Sequence, residues 1–431
     1  MWKWKSPVFT KSIISWAFYD WACSAFNAII TTFIFSTYFT ERVAKNSIVG
    51  TAQWGKAISL AALITAVISP VMGAIADYQG RRKPWLAFFT LVVIFSSSLL
   101  WFVKPNPAYV TLAVVMIIIA EIGSEVSYVF YNAMLRDLVA LNYVGRVSGW
   151  AWGLGYIGGL ISLVICLILF VNRDVPYLHL STIAAENIRI VGPFSAIWLL
   201  IFALPLFINT PDHHKYDVTI LQSINLGIKK LGRTFTRLRE YKNIFKYLIA
   251  HMIYTDGLNT AFAFGGIYAA GTFHFAMGDI ILYGIAMNIA AGVGAIAFGW
   301  IDDWIGPKHA ILIALIIMMI GGIFMVIVKP IMLFVIASLI VGICVGPIQA
   351  ASRSLMIRIA PKKMITEMFG LYVLAGRITA FVGPLVLGLF TVWFNSQRIG
   401  MSTILFFLLV GGLILLTVKV PKLKKPKPKL I

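Results

Sequence analysis

Ionisable side chains set inside long apolar segments are the residues of this 431-residue chain most able to do chemistry. A charge near the middle of a membrane helix costs ~2.5 to 3.5 kcal/mol on insertion scales, so it faces protein, a partner or a water-filled path. Asp20, Ser24, Asn27 and Thr31 follow one another at steps of four, three and four, which makes one polar stripe on a helix. Glu121, Ser124, Glu125, Tyr128 and Asn132 repeat that pattern, with Tyr131 beside them. His251, Tyr254, Asp256, Asn259 and Thr260 form a third polar group, and Gln349, Ser352 and Arg353 a fourth. Glu121 and Glu125 stand one turn apart, where repulsion in a low dielectric favours keeping a proton on one of the two. A carboxylate held that way could take a proton from one side and release it on the other. The alternative is a static ion pair of each acid with Arg353 or Arg377.

Position within the segment separates the candidates further. Glu125 and Asp256 are expected to couple to an ion or touch a solute. Asp20 lies ~12 Å into its helix at 1.5 Å per residue, and the spacing suits a cavity residue and a brace for the cytoplasmic gate equally. Arg377 sits too deep to reach water easily and needs a partner or an anionic ligand. Arg353 lies about a turn from the expected helix end and can snorkel. His251 has no second histidine at i+4 and reads as a helix-end hydrogen-bonding residue, so neither a metal nor a cofactor is expected.

The elements that carry these groups are membrane helices. Hydrophobic residues make up 60% of the chain and charged ones 12%, against roughly a quarter charged in soluble domains, and mean hydropathy is +0.89. About 20 apolar residues cross the hydrocarbon layer. Twelve stretches qualify, at about 13–39, 54–76, 85–103, 108–135, 147–171, 191–209, 244–271, 279–300, 309–328, 331–356, 368–392 and 401–419. The expectation is an all-α integral membrane protein with two pseudo-symmetric six-helix domains, 1–210 and 244–420. A basic linker at 211–243 joins them, and a basic tail at 421–431 follows. In the linker, Ile220, Ile224, Leu231, Phe235 and Leu238 alternate with Lys229, Lys230, Arg233, Arg237 and Arg239, which suggests an amphipathic helix on the inner membrane surface. Lys and Arg crowd the loops on the side of both termini, so the positive-inside rule makes those termini cytoplasmic. The formal charge of +20 thus answers to topology and anionic lipid rather than nucleic acid. Cys23, Cys166 and Cys344 fall inside spans without paired spacing and read as small core residues. The first span is expected to be an uncleaved helix.

The two halves repeat one another. GAIADYQGRRK (Gly73 to Lys83) returns as GWIDDWIGPKH (Gly299 to His309), pairing Gly73 with Gly299, Asp77 with Asp303, Gly80 with Gly306 and Arg82 with Lys308. DWACSAF (Asp20 to Phe26) returns as DGLNTAF (Asp256 to Phe262), and RVSGWAWGLG (Arg146 to Gly155) as EMFGLYVLAG (Glu367 to Gly376). Three ordered echoes mean an internal duplication, the usual build of a transporter whose site lies between its halves. In the first pair, glycines let helix ends approach closely while Asp77 or Asp303 can meet a basic residue or a helix N-terminus. These loops, with Arg81 and Arg82, are the expected cytoplasmic gate.

The same residues resemble the major facilitator superfamily, whose signature loop is matched by Gly73, Asp77, Gly80, Arg81 and Arg82. Within it the chain is similar to the vacuolar amino-acid effluxers and their bacterial relatives. That likeness runs through WAFYDWACSAF (Trp16 to Phe26), GRRKPWLAFFT (Gly80 to Thr90), EVSYVFYNAMLRDL (Glu125 to Leu138), GRVSGWAWGLGYIGGL (Gly145 to Leu160), IYTDGLNT (Ile253 to Thr260), IQAASRSLMIRIAP (Ile348 to Pro361) and EMFGLYVLAGR (Glu367 to Arg377). The resemblance implies the major facilitator fold, alternating access around a central site, amino-acid efflux, a monomer and, from the compact length, a bacterial inner-membrane protein. Cys23, Tyr78 and Glu121 depart from the family pattern, and Glu121 alters the charge expected in the cavity.

The leading expectation is a proton-coupled secondary transporter of a small polar or zwitterionic solute, with Asp20, Glu121, Glu125, Asp256 and Arg377 as cavity charges. The second is a larger solute such as a siderophore, drug or metabolite, held by Trp16, Trp21, Tyr128, Tyr131, Trp152, Tyr254 and Tyr372. From another class come a membrane enzyme using Glu121 and Glu125, or a sensor signalling through the basic linker. The chain holds no HExxH string and no phosphate-binding GxxxxGKS loop, which disfavours zinc-protease chemistry and ATP-driven pumping.

Overall fold

The computed structural model describes residues 9–171, 180–212, 220–236, 240–275 and 277–421. The ends of the chain, including most of the basic tail, lie outside them, as do Arg237, Leu238 and Arg239. The described residues are helical, with no strand among them. In chain order the long helices are α1 (Lys11–Val43), α2 (Ser47–Gln79), α3 (Lys83–Phe102), α4 (Pro107–Leu138), α5 (Leu141–Val171) and α6 (Glu186–Asn209). After a linker helix at Ile220–Thr236 come α7 (Lys242–Phe273), α8 (Met277–Ile305), α9 (Pro307–Ile327), α10 (Ile331–Ile359), α11 (Lys362–Trp393) and α12 (Gln397–Leu416). Eleven are both long and apolar enough to span a membrane. The other, α7, has the length, at 32 residues. Its polar group, His251, Tyr254, Asp256, Asn259 and Thr260, dilutes its hydropathy.

Local chemistry sets the ends. Thr10, Asn46 and Ser396 accept from backbone N–H groups in the first turns of α1, α2 and α12, the usual N-cap role. Pro84 and Pro307 sit in the first turns of α3 and α9, where a missing N–H costs nothing. Gly80 ends α2 at φ 79° and Gly306 follows α8 at φ 94°, backbone that glycine adopts without strain.

The halves meet along two matched seams, α2 against α11 and α5 against α8. A Cβ on Gly370 would overlap the Ser69 carbonyl, and one on Gly149 would overlap that of Ala295. The third sequence echo therefore marks two of the places where backbones from opposite halves come close.

Two helices depart from regularity. α1 widens to π-helix over Phe26–Phe33 and Phe39–Val43. α11 breaks between Ile378 and Val382. Gly383 and Pro384 explain the break, since proline removes one helical N–H and its ring clashes with the preceding turn.

The linker helix has a neighbour within the bundle. It packs on α2 across the closed end of the bundle, with Gly227 against Ile75. The buried Thr234 hydroxyl donates to Glu367 Oε1 at 2.5 Å. Ser223 and Thr234 are both buried on this helix.

Candidate functional site

Between the halves lies a cavity of about 900 Å³. It is open on the side away from the termini, where Thr37, Glu41 and Arg42 of α1, Val171 of α5 and Ile280 of α8 form its rim. Of the polar residues picked from sequence, Asp20, Ser24, Asn27, Glu125, Tyr128, Asn132, His251, Asn259, Gln349, Ser352 and Arg377 line it. Tyr131, Tyr254, Asp256, Arg353 and Glu121 lie behind its wall.

The floor is a charge cluster that ties α1, α4, α5 and α10 together. Arg353 Nη1 donates to Asp20 Oδ2 at 3.0 Å and to Asn132 Oδ1 at 3.2 Å. Its Nε and Nη2 donate to the hydroxyl and carbonyl of Ser148, each at 2.8 Å. Tyr131 donates to the same Asp20 oxygen at 2.9 Å. The guanidinium lies 5.0 Å from the Trp16 ring and 5.7 Å from that of Trp152, and Trp16 stacks on Tyr131. Arg353 therefore does not snorkel; α10 runs on to Ile359 and keeps it 2% exposed inside the bundle. A fixed planar fork with five donors suits this site, and a lysine would leave acceptors unfilled.

On the wall, Arg377 Nε donates to Glu125 Oε2 at 3.0 Å, and Nη2 to Oε1. These side chains remain 30% and 17% exposed to the cavity. Desolvation decides what each pair is for. The floor pair is dry, so removing one partner strands a buried charge at a cost of about 3–5 kcal/mol. The wall pair is wetted, where such pairs are worth about 0–1 kcal/mol. It can part to admit another charged group.

Other predicted residues fall into supporting places. His251 lies within α7 rather than at a helix end; it stacks on Tyr372 at 4.0 Å and pairs with Thr255 Oγ1 at 3.0 Å. Tyr254 bonds Ser352 Oγ at 2.7 Å. Glu121 is buried one turn from Glu125, and its Oε2 has no hydrogen-bond partner. Asp256 Oδ2 accepts from Gly383 N at 3.0 Å, beyond the break in α11. Of the proposed aromatic lining, Tyr128, Trp152 and Tyr372 reach the cavity. Trp16, Trp21, Tyr131 and Tyr254 are packed behind it, Trp21 stacking on Trp198.

The termini side is shut by a cross-half exchange of helix caps. Asp77, at the end of α2, accepts from Thr366 N at 3.2 Å and Glu367 N at 2.9 Å, where α11 begins. Asp303, its counterpart at the end of α8, accepts from Gly145 N at 2.9 Å and Arg146 Nε at 2.5 Å, where α5 begins. A Cβ on Gly73 would overlap the Thr366 carbonyl, and one on Gly299 would lie 2.8 Å from Arg146 Cα. Arg82 donates to Thr366 Oγ1 at 2.8 Å across the seam and pairs with Asp137 in its own half. Its sequence counterpart Lys308 breaks the symmetry, bonding the Leu416 and Val418 carbonyls of its own half. Arg81 is exposed.

Sequence reasoning missed the Asp302–Arg358 pair at 2.9 Å and the Tyr156 hydroxyl donating to Gln349 Oε1 at 2.7 Å across the halves. Asp302 stands beside Asp303 without an acidic counterpart beside Asp77, so the repeat drew attention away from it. Among the described residues no cluster of three or more His, Cys, Asp or Glu forms a metal site.

An all-helical bundle with eleven candidate membrane spans among the described residues, a central cavity and an exchanged pair of helix caps agree with the transporter fold of the major facilitator superfamily. Two solved structures share this fold: the proton:xylose symporter XylE at 14% identity and TM-score 0.75, over 95% of this chain and 96% of that one, and the transporter FucP in its outward conformation at 14% and 0.74, over 97% and 100%. Within the superfamily the chain belongs to the family described as vacuole effluxer Atg22 like, whose model matches residues 42–143 and 140–427. Among curated relatives, it is 27% identical to the uncharacterized MFS-type transporter YxiO of Bacillus subtilis over 94% of both chains. It is 22% identical to autophagy-related protein 22 of Coccidioides immitis over 86% of this chain and 73% of that one. The protein is a multi-pass membrane transporter rather than an enzyme.

Proposed function

We propose that the protein is a proton-coupled secondary transporter of a small zwitterionic solute of the amino-acid class, in a bacterial inner membrane with both termini cytoplasmic. One observation carries the reading: below the rim, the wall of the cavity presents a wetted pair of opposite charges, Glu125 and Arg377, contributed by opposite halves. A zwitterion matches that pair end for end, its carboxylate on the Arg377 fork and its ammonium on Glu125. Each protein charge exchanges one partner for another, so no charge is left unanswered. A solute bridging α4 and α11 also touches both halves, and so has the differential contact that lets binding bias a two-state equilibrium. Family membership supports the amino-acid class, and a proton symporter among the structural neighbours is in keeping with proton coupling.

With the cavity open away from the termini and the gate closed, the proposed cycle moves the halves about the α2–α11 and α5–α8 seams, breaking the Asp77 and Asp303 caps as the opposite side closes. Thermal-shift titration of the purified protein tests the substrate class. Free amino acids should raise the unfolding temperature, while their esters, N-acyl derivatives and bulky siderophore-like or drug-like ligands should not. Stabilisation confined to the bulky ligands would replace this reading with the larger-solute one.

A further inference from the structure

Asp256 is the buried acid that neither the cavity nor the gate uses. It is 2% exposed. Asp20, Glu125, Asp302 and Asp303 each face an arginine within ion-pair distance, whereas Asp256 has no ion-pair partner among the described residues. One carboxylate oxygen accepts from Gly383 N, and the other, Oδ1, has no partner. Asp256 therefore lies where α11 is interrupted, next to the N-terminus of its second segment, Val382–Trp393. The Thr379 hydroxyl, in the break itself, is likewise buried and unpartnered.

The groups facing Asp256 are few. From α7 come Thr260, whose hydroxyl donates to the Asp256 carbonyl, with His251 more than a turn away and Tyr254 about half a turn round the helix, both bonded elsewhere. From α11 comes Gly383, while Arg377, on the segment before the break, is held by Glu125. α12 presents Phe407 and Leu408 beside Gly257; its one charged residue, Arg398, bonds the Val326 and Val328 carbonyls at the far end of the bundle. Glu121 and Asp302 also have an unpartnered oxygen, but Glu121 shares the field of Arg377 and Asp302 pairs with Arg358; Asp256 has no such cation among the described residues.

The break divides α11 by allegiance. Its first segment grips the opposite half, through the Asp77 caps and the Gly370 contact with Ser69. Its second packs on α12 and α7 of its own half. The chain at Thr379 to Phe381 is therefore the point where the first segment can turn relative to the second as it leaves α2.

We propose that Asp256 is the residue that holds the coupling proton, and that its protonation acts on α11 at this hinge. Ionised, Asp256 caps the second segment and its charge is stabilised by that helix N-terminus, an effect of about 0.3–2 kcal/mol. A proton arriving through cavity water, past Thr255 and Asn259 on the lining of α7, bonds to Oδ1. The neutral acid then donates instead of only accepting. The cap weakens and the hinge is released; loss of the proton on the other side restores it. Charge on the solute pair and charge on the proton site are thus carried by different residues, joined through one helix.

This inference rests on the proton-coupled reading above, and two readouts keep the two apart. Infrared spectroscopy of the full chain in lipid, titrated with pH and without solute, should show a protonated carboxylic C=O band that is absent in Asp256→Asn and displaced in Asp256→Glu. In proteoliposomes, accumulation of a labelled amino-acid pool under a pH gradient should be lost in Asp256→Asn and partly restored in Asp256→Glu. An unchanged carboxyl titration in Asp256→Asn, or wild-type accumulation by it, overturns the assignment. So does accumulation that follows a sodium gradient instead of the pH gradient. If Asp256→Asn does not fold, an undisplaced band in Asp256→Glu overturns it equally. A wild type that accumulates nothing defeats the amino-acid reading alone, because the infrared titration needs no solute.

Discussion

Arg353 of α10 and Asp20 of α1 meet at 3.0 Å with side chains 2% and 4% exposed, and through them the two halves are joined below the cavity. The arginine satisfies four acceptors there, on Asp20, Asn132 and Ser148. Its role is therefore to hold the floor shut in this state, and the wetter Glu125–Arg377 pair above it is the one free to exchange partners.

Removing one member of the floor pair should be far costlier than removing both. Arg353→Met alone strands the Asp20 carboxylate and is expected to destabilise the purified protein by about 3–5 kcal/mol. Adding Asp20→Asn to it should recover a large part of that loss. Arg353→Lys should resemble Arg353→Met more than wild type. Thermal unfolding of the four proteins checks this, and additive losses would show that the two residues do not act as a pair.

The exchanged caps predict a symmetric effect on the gate. Asp77→Asn and Asp303→Asn each weaken charge-assisted bonds to a helix start in the opposite half, worth about 1–2 kcal/mol. Each should raise the population open on the termini side by roughly 5- to 30-fold. Because the two sites are separate, the double variant should combine both effects. Labelling of a cysteine introduced beneath the gate reads out that population directly.

Glycine positions offer an internal control. Gly370→Ala drives a methyl into the Ser69 carbonyl and is expected to cost about 1–3 kcal/mol of stability, as overpacking does. Gly388 lies in α11 with open space where its Cβ would be, so Gly388→Ala should be neutral or stabilise by up to about 1 kcal/mol. Melting temperatures that move in the same direction would contradict the seam described here.

Much of this architecture is legible in the residues themselves. A charge in an apolar helix is costly enough that Asp20, Glu125, Asp256 and Arg377 announce themselves. The duplication locates Asp77 and Asp303 together, and both lie at the gate. Pairing is not legible: the Asp20–Arg353 contact joins positions hundreds of residues apart, and a linear spacing cannot choose between it and snorkelling. Lys308 misleads because sequence symmetry is no guarantee of equal partners, and it finds carbonyls in its own half. The break in α11 has a signal in Gly383–Pro384, but proline inside a membrane helix is common enough to be passed over.

The role of Glu125 and Arg377 in holding a zwitterion is tested most directly by uptake of a labelled amino-acid pool into proteoliposomes containing wild type, Glu125→Gln or Arg377→Gln. A charge-assisted hydrogen bond is worth about 1.5–3 kcal/mol, so each variant should lose roughly 10- to 150-fold in apparent affinity while keeping its fold. Wild-type movement of the pool with both variants so weakened is the predicted result. Uptake by either variant with wild-type affinity, or no movement by the wild type under any imposed gradient, would contradict it.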